Sequence, residues 1–189
     1  TFLDSNVLLK VIDSISSQYK VQLSKQHSAW IEKEKVREVA GVDVPQYLTG
    51  SWKVSGASLY DYVAVSMPQR LPYSSRMDIN PARIVLDIFG ATSNTNWITQ
   101  LKSAKDVKNV WYVQAEDDLM RVFIELKNQT HWGYHIYYDS LQRLTVRVKR
   151  QPSSLLIKNM KIAIDAGHGG DQPGASGKNT GILEKDYTL

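Results

Sequence analysis

The sequence contains no cysteine, no long apolar run and no block of like charge, and each absence excludes a class of protein. Without cysteine there are no disulfides, thiolate metal sites or cysteine nucleophiles, which suits an exported bacterial protein as well as a cytoplasmic one. No stretch reaches the ~18 consecutive apolar residues of a transmembrane helix, so we expect no membrane span. Because the 23 basic and 19 acidic residues are interspersed, the net charge of +4 does not indicate nucleic acid as a partner.

What is present is an ordinary globular composition. The 189 residues are 42% hydrophobic and 22% charged, which allows one large domain or two to three small ones. The first residue is a threonine, and no leader with a charged and then an apolar region is visible. We therefore interpret the chain as a fragment at both ends.

The first 45 residues predict a small β domain. Short strands are expected at residues 8–15, 19–23 and 29–32, separated by polar turns. The phrase "YKVQLSKQHSAWIEKEKV" resembles the second half of bacterial Src-homology-3-like domains, in which a hairpin precedes a strand with a buried tryptophan. The resemblance implies a small barrel over residues 1–45, with Trp30 as the buried tryptophan. Residues 40–50 lose periodicity and indicate a linker.

A second β-rich block covers residues 51–150. Alternation of apolar and polar residues predicts two sheets packed as a β-sandwich, with a short helix between residues 96 and 105. The strands are expected at residues 62–66, 72–77, 83–89, 110–114, 119–126, 134–138 and 144–149.

The text of this block resembles the AMIN domain, a non-catalytic module that precedes the catalytic domain in many bacterial cell-wall amidases. The matching phrases are "YVAVSMPQRLPYSSRMDINPARIVLDIFGAT", "VKNVWYVQAEDDLMRVFIELK" and "LTVRVKR". A short connection, residues 151–160, follows this block and leads to the C-terminal tail.

The tail, residues 161–189, combines a histidine and a glutamate that can form one site. Residues 162–164 predict a strand, and His168 follows between Gly167 and Gly169 on an exposed turn. Glu184 stands where a helix is predicted to begin. Because sites form at the carboxyl ends of strands in open α/β sheets, the two side chains can converge. Imidazole and carboxylate are both ligands for Zn²⁺, but a catalytic zinc site needs three protein ligands.

The string "IDAGHGGDQPGASGKNTGILEKD" is similar to the first signature of zinc-dependent N-acetylmuramoyl-L-alanine amidases. The resemblance implies that His168 and Glu184 are the first two zinc ligands and that this tail is the first strand and helix start of a truncated α/β domain. The family's third ligand and its general-base glutamate would lie downstream of Leu189. We therefore expect no catalytic residue within this chain and weak zinc binding at most. Asp165 is expected to hold the turn or to support a ligand.

Ordinary structural interpretations stay open for the tail. His168 can belong to a plain glycine-rich turn, and Glu184 can be a first-turn acid that interacts with the helix dipole. One strand and a helical start cannot bury both faces of a sheet, so we expect the tail to be disordered, swapped or completed by downstream residues.

A second group of residues is a candidate for glycan contact. The segment "HWGYHIYYD" contains Trp132 and Tyr134, whose rings can stack on sugars, and Arg147 and Lys149 can meet an anionic wall polymer. The structural alternatives are a core strand for Trp132 and Tyr134 and a solvated strand face for the two cations.

Together these features predict the cell-wall-targeting part of a bacterial N-acetylmuramoyl-L-alanine amidase. We expect a periplasmic or secreted protein with peptidoglycan as its partner, Zn²⁺ as the cofactor of the longer enzyme and no activity in this chain alone. The alternative is a non-catalytic peptidoglycan-binding or scaffold protein. The oligomeric state stays open.

Overall fold

The protein is mainly β. The computed structural model describes residues 3–42, 47–94, 97–163 and 167–187, and the chain divides into two compact units, Thr1–Gln151 and Pro152–Leu189. No α-helix forms within these described ranges. None of the helical segments in them is long and apolar enough to cross a membrane.

The first unit begins with a small antiparallel sheet. Its strands, in the order β1-β2-β3, are β1 (Lys10–Ser14), β2 (Gln18–Gln22) and β3 (Ser28–Glu32). The three strands predicted here are confirmed. The described strands form an open three-stranded sheet, so the Src-homology-3-like barrel stays a prediction.

The prediction of a buried Trp30 is wrong. Its side chain lies opposite Lys20 on the outer face of the small sheet and is 45% exposed, with the Lys20 Nζ atom 5.9 Å from the ring centre. The other face of the sheet is the buried one, because Val21 and its neighbours pack on the next part of the unit. The small core there consists of Val21, Leu23, Phe89 and Leu119.

The remaining strands of the first unit form two larger sheets and one short pair. In chain order they are β4 (Tyr47–Thr49), β5 (Trp52–Ala57), β6 (Tyr60–Ser66), β7 (Tyr73–Asp78), β8 (Arg83–Phe89), β9 (Ala91–Ser93), β10 (Ile98–Gln100), β11 (Val107–Glu116), β12 (Leu119–Leu126), β13 (Tyr134–Tyr138) and β14 (Arg143–Lys149). One sheet has five strands, β10-β5-β6-β14-β13, and the other has four, β11-β12-β8-β7. β4 pairs with β9 in parallel.

The two larger sheets pack face to face around one core, as the alternating sequence pattern predicts. Alternate residues of each strand point inward, and those of both sheets belong to a single buried cluster. The four-stranded sheet contributes Ile84, Leu86, Ile88, Met120, Val122 and Ile124, and the five-stranded sheet contributes Val54, Val63, Val65, Leu144, Val146 and Val148. The seven strands predicted in this block are all present, whereas β4, β5, β9 and β10 were not predicted.

The short helix predicted between residues 96 and 105 is wrong for the described part of that range. Strand β10 forms there instead and pairs in parallel with β5. The loop after β10 is held by the buried carboxylate of Asp61, which accepts hydrogen bonds from the backbone N–H groups of Lys105, Asp106 and Val107. Asp61 also pairs with Arg150, whose Nε lies 2.8 Å away. A helix that ended at residue 105 would instead direct the Lys105 N–H to a carbonyl one turn earlier in the chain.

The second unit, Pro152–Leu189, contains little regular structure. Ile162 and Ala163, part of the predicted strand, lie outside any strand, and the predicted helix at Glu184 is a single 3₁₀ turn, Glu184–Asp186. No described side chain of this unit is buried. Strand-like pairing among the described residues of this unit is limited to two isolated bridges, Gly169 with Gln172 and Ser176 with Leu183. The predicted truncated α/β domain therefore stays a prediction.

Candidate functional site

His168 and Glu184 come together in the second unit. The Nε2 atom of His168 lies 3.5 Å from the Oε2 atom of Glu184, and the two side chains are 42% and 46% exposed. The chain between them folds back on itself, with backbone hydrogen bonds from Glu184 N to Ala175 O and from Lys185 N to Pro173 O. The convergence predicted from the sequence is thus present, although a glycine-rich turn produces it and not a strand and a helix.

A glycine that the sequence analysis did not single out makes this approach possible. Gly174 adopts φ +70, and a Cβ atom there would lie 2.8 Å from both Glu184 Oε2 and His168 Cδ2. Any side chain at this position would therefore collide with both members of the pair. Its place after Pro173 in the phrase "DQPGASG" is the sequence signal that marks a tight turn.

Gly167 and Gly169, the glycines on either side of His168, leave room around the histidine, as the sequence suggests. Cβ atoms at Gly167 and Gly169 would meet nothing within 4 Å, so these glycines border open space and are not needed for close packing. The positive φ in this stretch belongs to His168 itself, at +61, and to Gly170. Asp165 lies outside the described residues.

The pair has the spacing of two ligands of one zinc ion. With bonds of about 2.1 Å in a tetrahedral arrangement, two ligand atoms are about 3.4 Å apart, close to the observed separation. The Oε2 atom of Glu184 also accepts a hydrogen bond from the backbone N–H of Ala175 at 3.0 Å, which orients the carboxylate. No group of three or more His, Cys, Asp or Glu side chains that could hold a metal occurs in the described ranges. Among the described residues, the pair therefore supplies two donor atoms at this spacing and no third His, Cys, Asp or Glu completes a metal-holding group.

Two of the four predicted glycan contacts are turned toward the protein. Tyr134 packs against the sandwich core and its hydroxyl donates a hydrogen bond to the Ser75 hydroxyl at 3.0 Å. The indole nitrogen of Trp132 is buried, without a hydrogen-bond partner among the described residues. For Tyr134, this placement favours the structural alternative, a strand that faces the core. For Trp132, it removes the indole nitrogen from contact with solvent.

The other two predicted contacts, Arg147 and Lys149, lie on the outer surface of the five-stranded sheet. Arg147 is opposite His135 on one side and Tyr62 on the other, and Lys149 is opposite Tyr60. The guanidinium of Arg147 lies over the Tyr60 ring at 4.8 Å. His135 and Tyr137 belong to the segment that the sequence marks as a candidate for glycan contact, and they lie on the face opposite Tyr134 and Ile136. Tyr60 and Tyr62 were not singled out from the sequence.

We define this surface as the outer five-stranded face. It consists of the side chains Lys53, Tyr60, Tyr62, His135, Tyr137, Arg147 and Lys149. Its rings form two neighbouring pairs, Tyr60 with Tyr62 at 6.5 Å and His135 with Tyr137 at 5.5 Å between ring centres. β14 lies between the two pairs, so they are two strand spacings, about 10 Å, apart.

Comparison with known proteins assigns most of the first unit to a domain family. A family model described as the AMIN domain matches residues 52–148, from the start of β5 to the second-last residue of β14. A comparison with curated proteins gives no match. AMIN domains are typical of peptidoglycan-associated amidases and occur in periplasmic or secreted cell-wall proteins, which suggests a peptidoglycan-targeting role. Because the match covers just over half of the chain, this protein belongs to the AMIN domain family.

Proposed function

We propose that this chain is the wall-targeting part of a bacterial N-acetylmuramoyl-L-alanine amidase, an enzyme that hydrolyses the amide between N-acetylmuramic acid and L-alanine in peptidoglycan. The observation that carries the proposal is the 3.5 Å approach of His168 and Glu184 in a chain that also contains an AMIN domain. An AMIN domain alone supports attachment to the wall, and the added histidine–carboxylate pair supports zinc-dependent hydrolysis.

In this proposal His168 Nε2 and Glu184 Oε2 hold the zinc ion. When bound in such enzymes, zinc polarises a carbonyl group and activates water for attack at neutral pH. The residues of this chain orient the ligands: the Ala175 N–H fixes the Glu184 carboxylate, and Gly174 leaves the space into which the imidazole turns. Two protein ligands do not make a catalytic site, so this chain alone should not hydrolyse peptidoglycan.

The AMIN domain would act by holding the enzyme on its polymeric substrate. Once this module is bound to the wall, the catalytic domain stays close to the scissile bonds and does not have to find each one by diffusion from solution. Its benefit is a higher effective concentration of substrate, without any contact with the reacting atoms. The proposed location is the periplasm or the exterior, in association with the wall.

Zinc titration of the purified chain tests the metal part of the proposal. We expect weak, 1:1 binding by isothermal titration calorimetry, with loss of the signal in His168→Ala and in Glu184→Gln. His131→Ala is the matched control, because His131 is an exposed histidine of the other unit and should leave the titration unchanged. Zinc binding that survives both substitutions in the pair would contradict the proposed ligands.

Co-sedimentation with purified peptidoglycan sacculi tests the targeting part. We expect the chain to pellet with sacculi and to release no stem peptides from them. A chain that pellets with sacculi but shows no His168-dependent zinc binding would favour the alternative of a non-catalytic wall-binding or scaffold protein. A chain that does not pellet would contradict a targeting role.

A further inference from the structure

Three cations of the outer five-stranded face have no acidic partner among the described residues, although Arg143, at the end of the same sheet, is paired with Asp139. No Asp or Glu occupies an outward-facing position of its five strands. Among the described residues, Lys53, Arg147 and Lys149 make no ion pair, and the Arg147 guanidinium lies over the Tyr60 ring. Asp61 is the one carboxylate within β5, β6 and β14, but it points inward and is taken by Arg150.

The outer surface of the four-stranded sheet provides an internal comparison, because its cations are paired. Arg83 lies 2.6 Å from Asp78, Arg121 lies 2.6 Å from Asp87, and Lys108 lies 2.7 Å from Glu125. Trp111 and Phe123 stack on each other on that surface, with ring centres 5.2 Å apart. The two surfaces thus have similar side-chain types, but only the outer five-stranded face has cations available for a partner.

Aromatic rings beside unpaired cations match a ligand that has both sugar rings and negative charges. The half-buried rings of Tyr60, Tyr62 and Tyr137 are held by their strand neighbours, so little side-chain freedom is lost when a flat apolar sugar face lies on them. The two ring pairs are spread across three strands, which suits an extended chain better than a single sugar. The cations beside them can then meet charged groups that branch from that chain.

We infer that the outer five-stranded face is the wall-binding surface of this AMIN domain and that it recognises peptidoglycan through the carboxylates of its stem peptides, with the rings packed on the glycan. This inference rests on the proposed targeting function and adds the surface and the chemistry of recognition. Binding should therefore weaken as salt concentration rises, since exposed charge pairs are screened.

Charge-removing variants test the surface. We expect the double variant Lys53→Gln/Lys149→Gln to bind sacculi about ten-fold more weakly in co-sedimentation, because two exposed ion pairs are lost. The matched control is Lys10→Gln/Lys127→Gln, which removes two exposed lysines of the same unit that lie elsewhere. Equal losses in both double variants would overturn the inference, because binding would then follow net charge and not this face.

Aromatic variants separate the two sheet surfaces. Tyr137→Ala should weaken binding several-fold, whereas Trp111→Ala on the opposite surface should leave it unchanged. Thermal unfolding of each variant shows whether the fold is retained, and Tyr137→Phe, which keeps the ring, should restore binding. The reverse order of effects would assign the wall to the four-stranded sheet and overturn the inference.

Changes in the ligand test directly whether the stem-peptide carboxylates are recognised. Sacculi whose carboxylates have been converted to amides, and chitin, which has N-acetylglucosamine rings without stem peptides, should both bind about ten-fold more weakly than native sacculi. Equal binding to amidated and native sacculi would overturn the carboxylate part. Failure of the wild-type chain to bind native sacculi would instead contradict the proposed function itself, so the two failures are distinguishable.

Discussion

The two units of this protein reach a defined geometry in different ways. The AMIN sandwich is built on one continuous core to which both sheets contribute. The second unit has no buried side chain among its described residues, and backbone hydrogen bonds and glycine conformations position its His168–Glu184 pair. The difference shows that the two sheets are held by long-range packing, whereas a local turn is enough to bring one histidine and one glutamate together.

The largest expected effect comes from the buried carboxylate of the sandwich. Asp61→Ala should lower the free energy of unfolding by about 3–5 kcal/mol, because Arg150 and three backbone amides lose their acceptor. Urea denaturation followed by tryptophan fluorescence measures this. The matched control is Asp78→Ala, which removes a more exposed carboxylate from a surface pair with Arg83 and should cost less than about 1 kcal/mol. Similar losses of stability for both variants would contradict a special role of Asp61 in holding the loop after β10.

A core truncation compares the two units directly. Leu86→Ala should cost about 3 kcal/mol, because Leu86 is fully buried between the sheets and leaves a cavity. Ile162→Ala removes a similar side chain from the second unit, where it is 63% exposed, and should change stability by less than about 0.5 kcal/mol. Denaturation of the two variants under the same conditions provides the measurement. A large loss for Ile162→Ala would show a packed core that the described residues of that unit lack.

A glycine substitution breaks the local turn without touching the sandwich. Gly174→Ala should abolish the zinc-induced change in the NMR signals of the His168 ring, because the new methyl group collides with His168 and Glu184. Gly181→Ala is the matched control: it has nearly the same φ, +68, but open space around it. Both variants carry about 1 kcal/mol of backbone strain, so only the collision distinguishes them. Equal responses would show that backbone strain alone positions the pair.

High pH should destabilise the sandwich through its buried tyrosines. Burial raises the pKa of Tyr73 to about 12, and burial also raises the pKa of Tyr138. A tyrosine in an unfolded chain ionises near pH 10, so this part of the stability is complete below about pH 10 and is lost as the pH rises toward 12. The free energy of unfolding measured between pH 9 and 12 should fall less steeply in Tyr73→Phe. An unchanged slope would exclude Tyr73 as a source of the pH dependence.

The smallest expected effect lies at the contact between the small N-terminal sheet and the sandwich. Lys25→Gln removes an exposed pair with Asp117, in which the Nζ–Oδ2 distance is 3.1 Å, and should cost less than about 0.5 kcal/mol. Leu23→Ala at the same contact removes a buried side chain and should cost several times more. Thermal unfolding of both variants measures the two stability losses. A larger loss for Lys25→Gln than for Leu23→Ala would contradict a contact held by apolar packing.

The long strands were predictable because their alternation is visible in the sequence. β8, β12 and β13 begin and end at the predicted residues, since each has apolar residues at every second position facing one core. β4, β9 and β10 have three residues each, too few to show a period, and each exists because a neighbouring strand supplies its hydrogen bonds. Residues 96–105 were misassigned for the same reason.

The approach of His168 and Glu184 was predictable from the sequence, but the residue that makes room for it was not. The types of His168 and Glu184 and the glycines around the histidine indicate a metal-binding turn in the sequence itself. Gly174 is needed because its backbone lies close to the side chains of His168 and Glu184. That closeness cannot be read from the sequence. The sequence also left open whether the Tyr134 ring points into the core or outward. The packing of the second sheet on one side of β13 decides this.

By itself, the sequence determined where ten of the fourteen described strands run, which of their residues share a face and which two side chains of the tail have the chemistry of metal ligands. These properties depend on backbone periodicity and on the chemistry of individual side chains. Only the tertiary structure decided that Trp30 lies outward, that Gly174 makes room for His168 and Glu184, and that one sheet surface retains unpaired cations. Whether a side chain is buried or paired depends on the residues of a second segment that packs against it, and these residues are distant in the sequence.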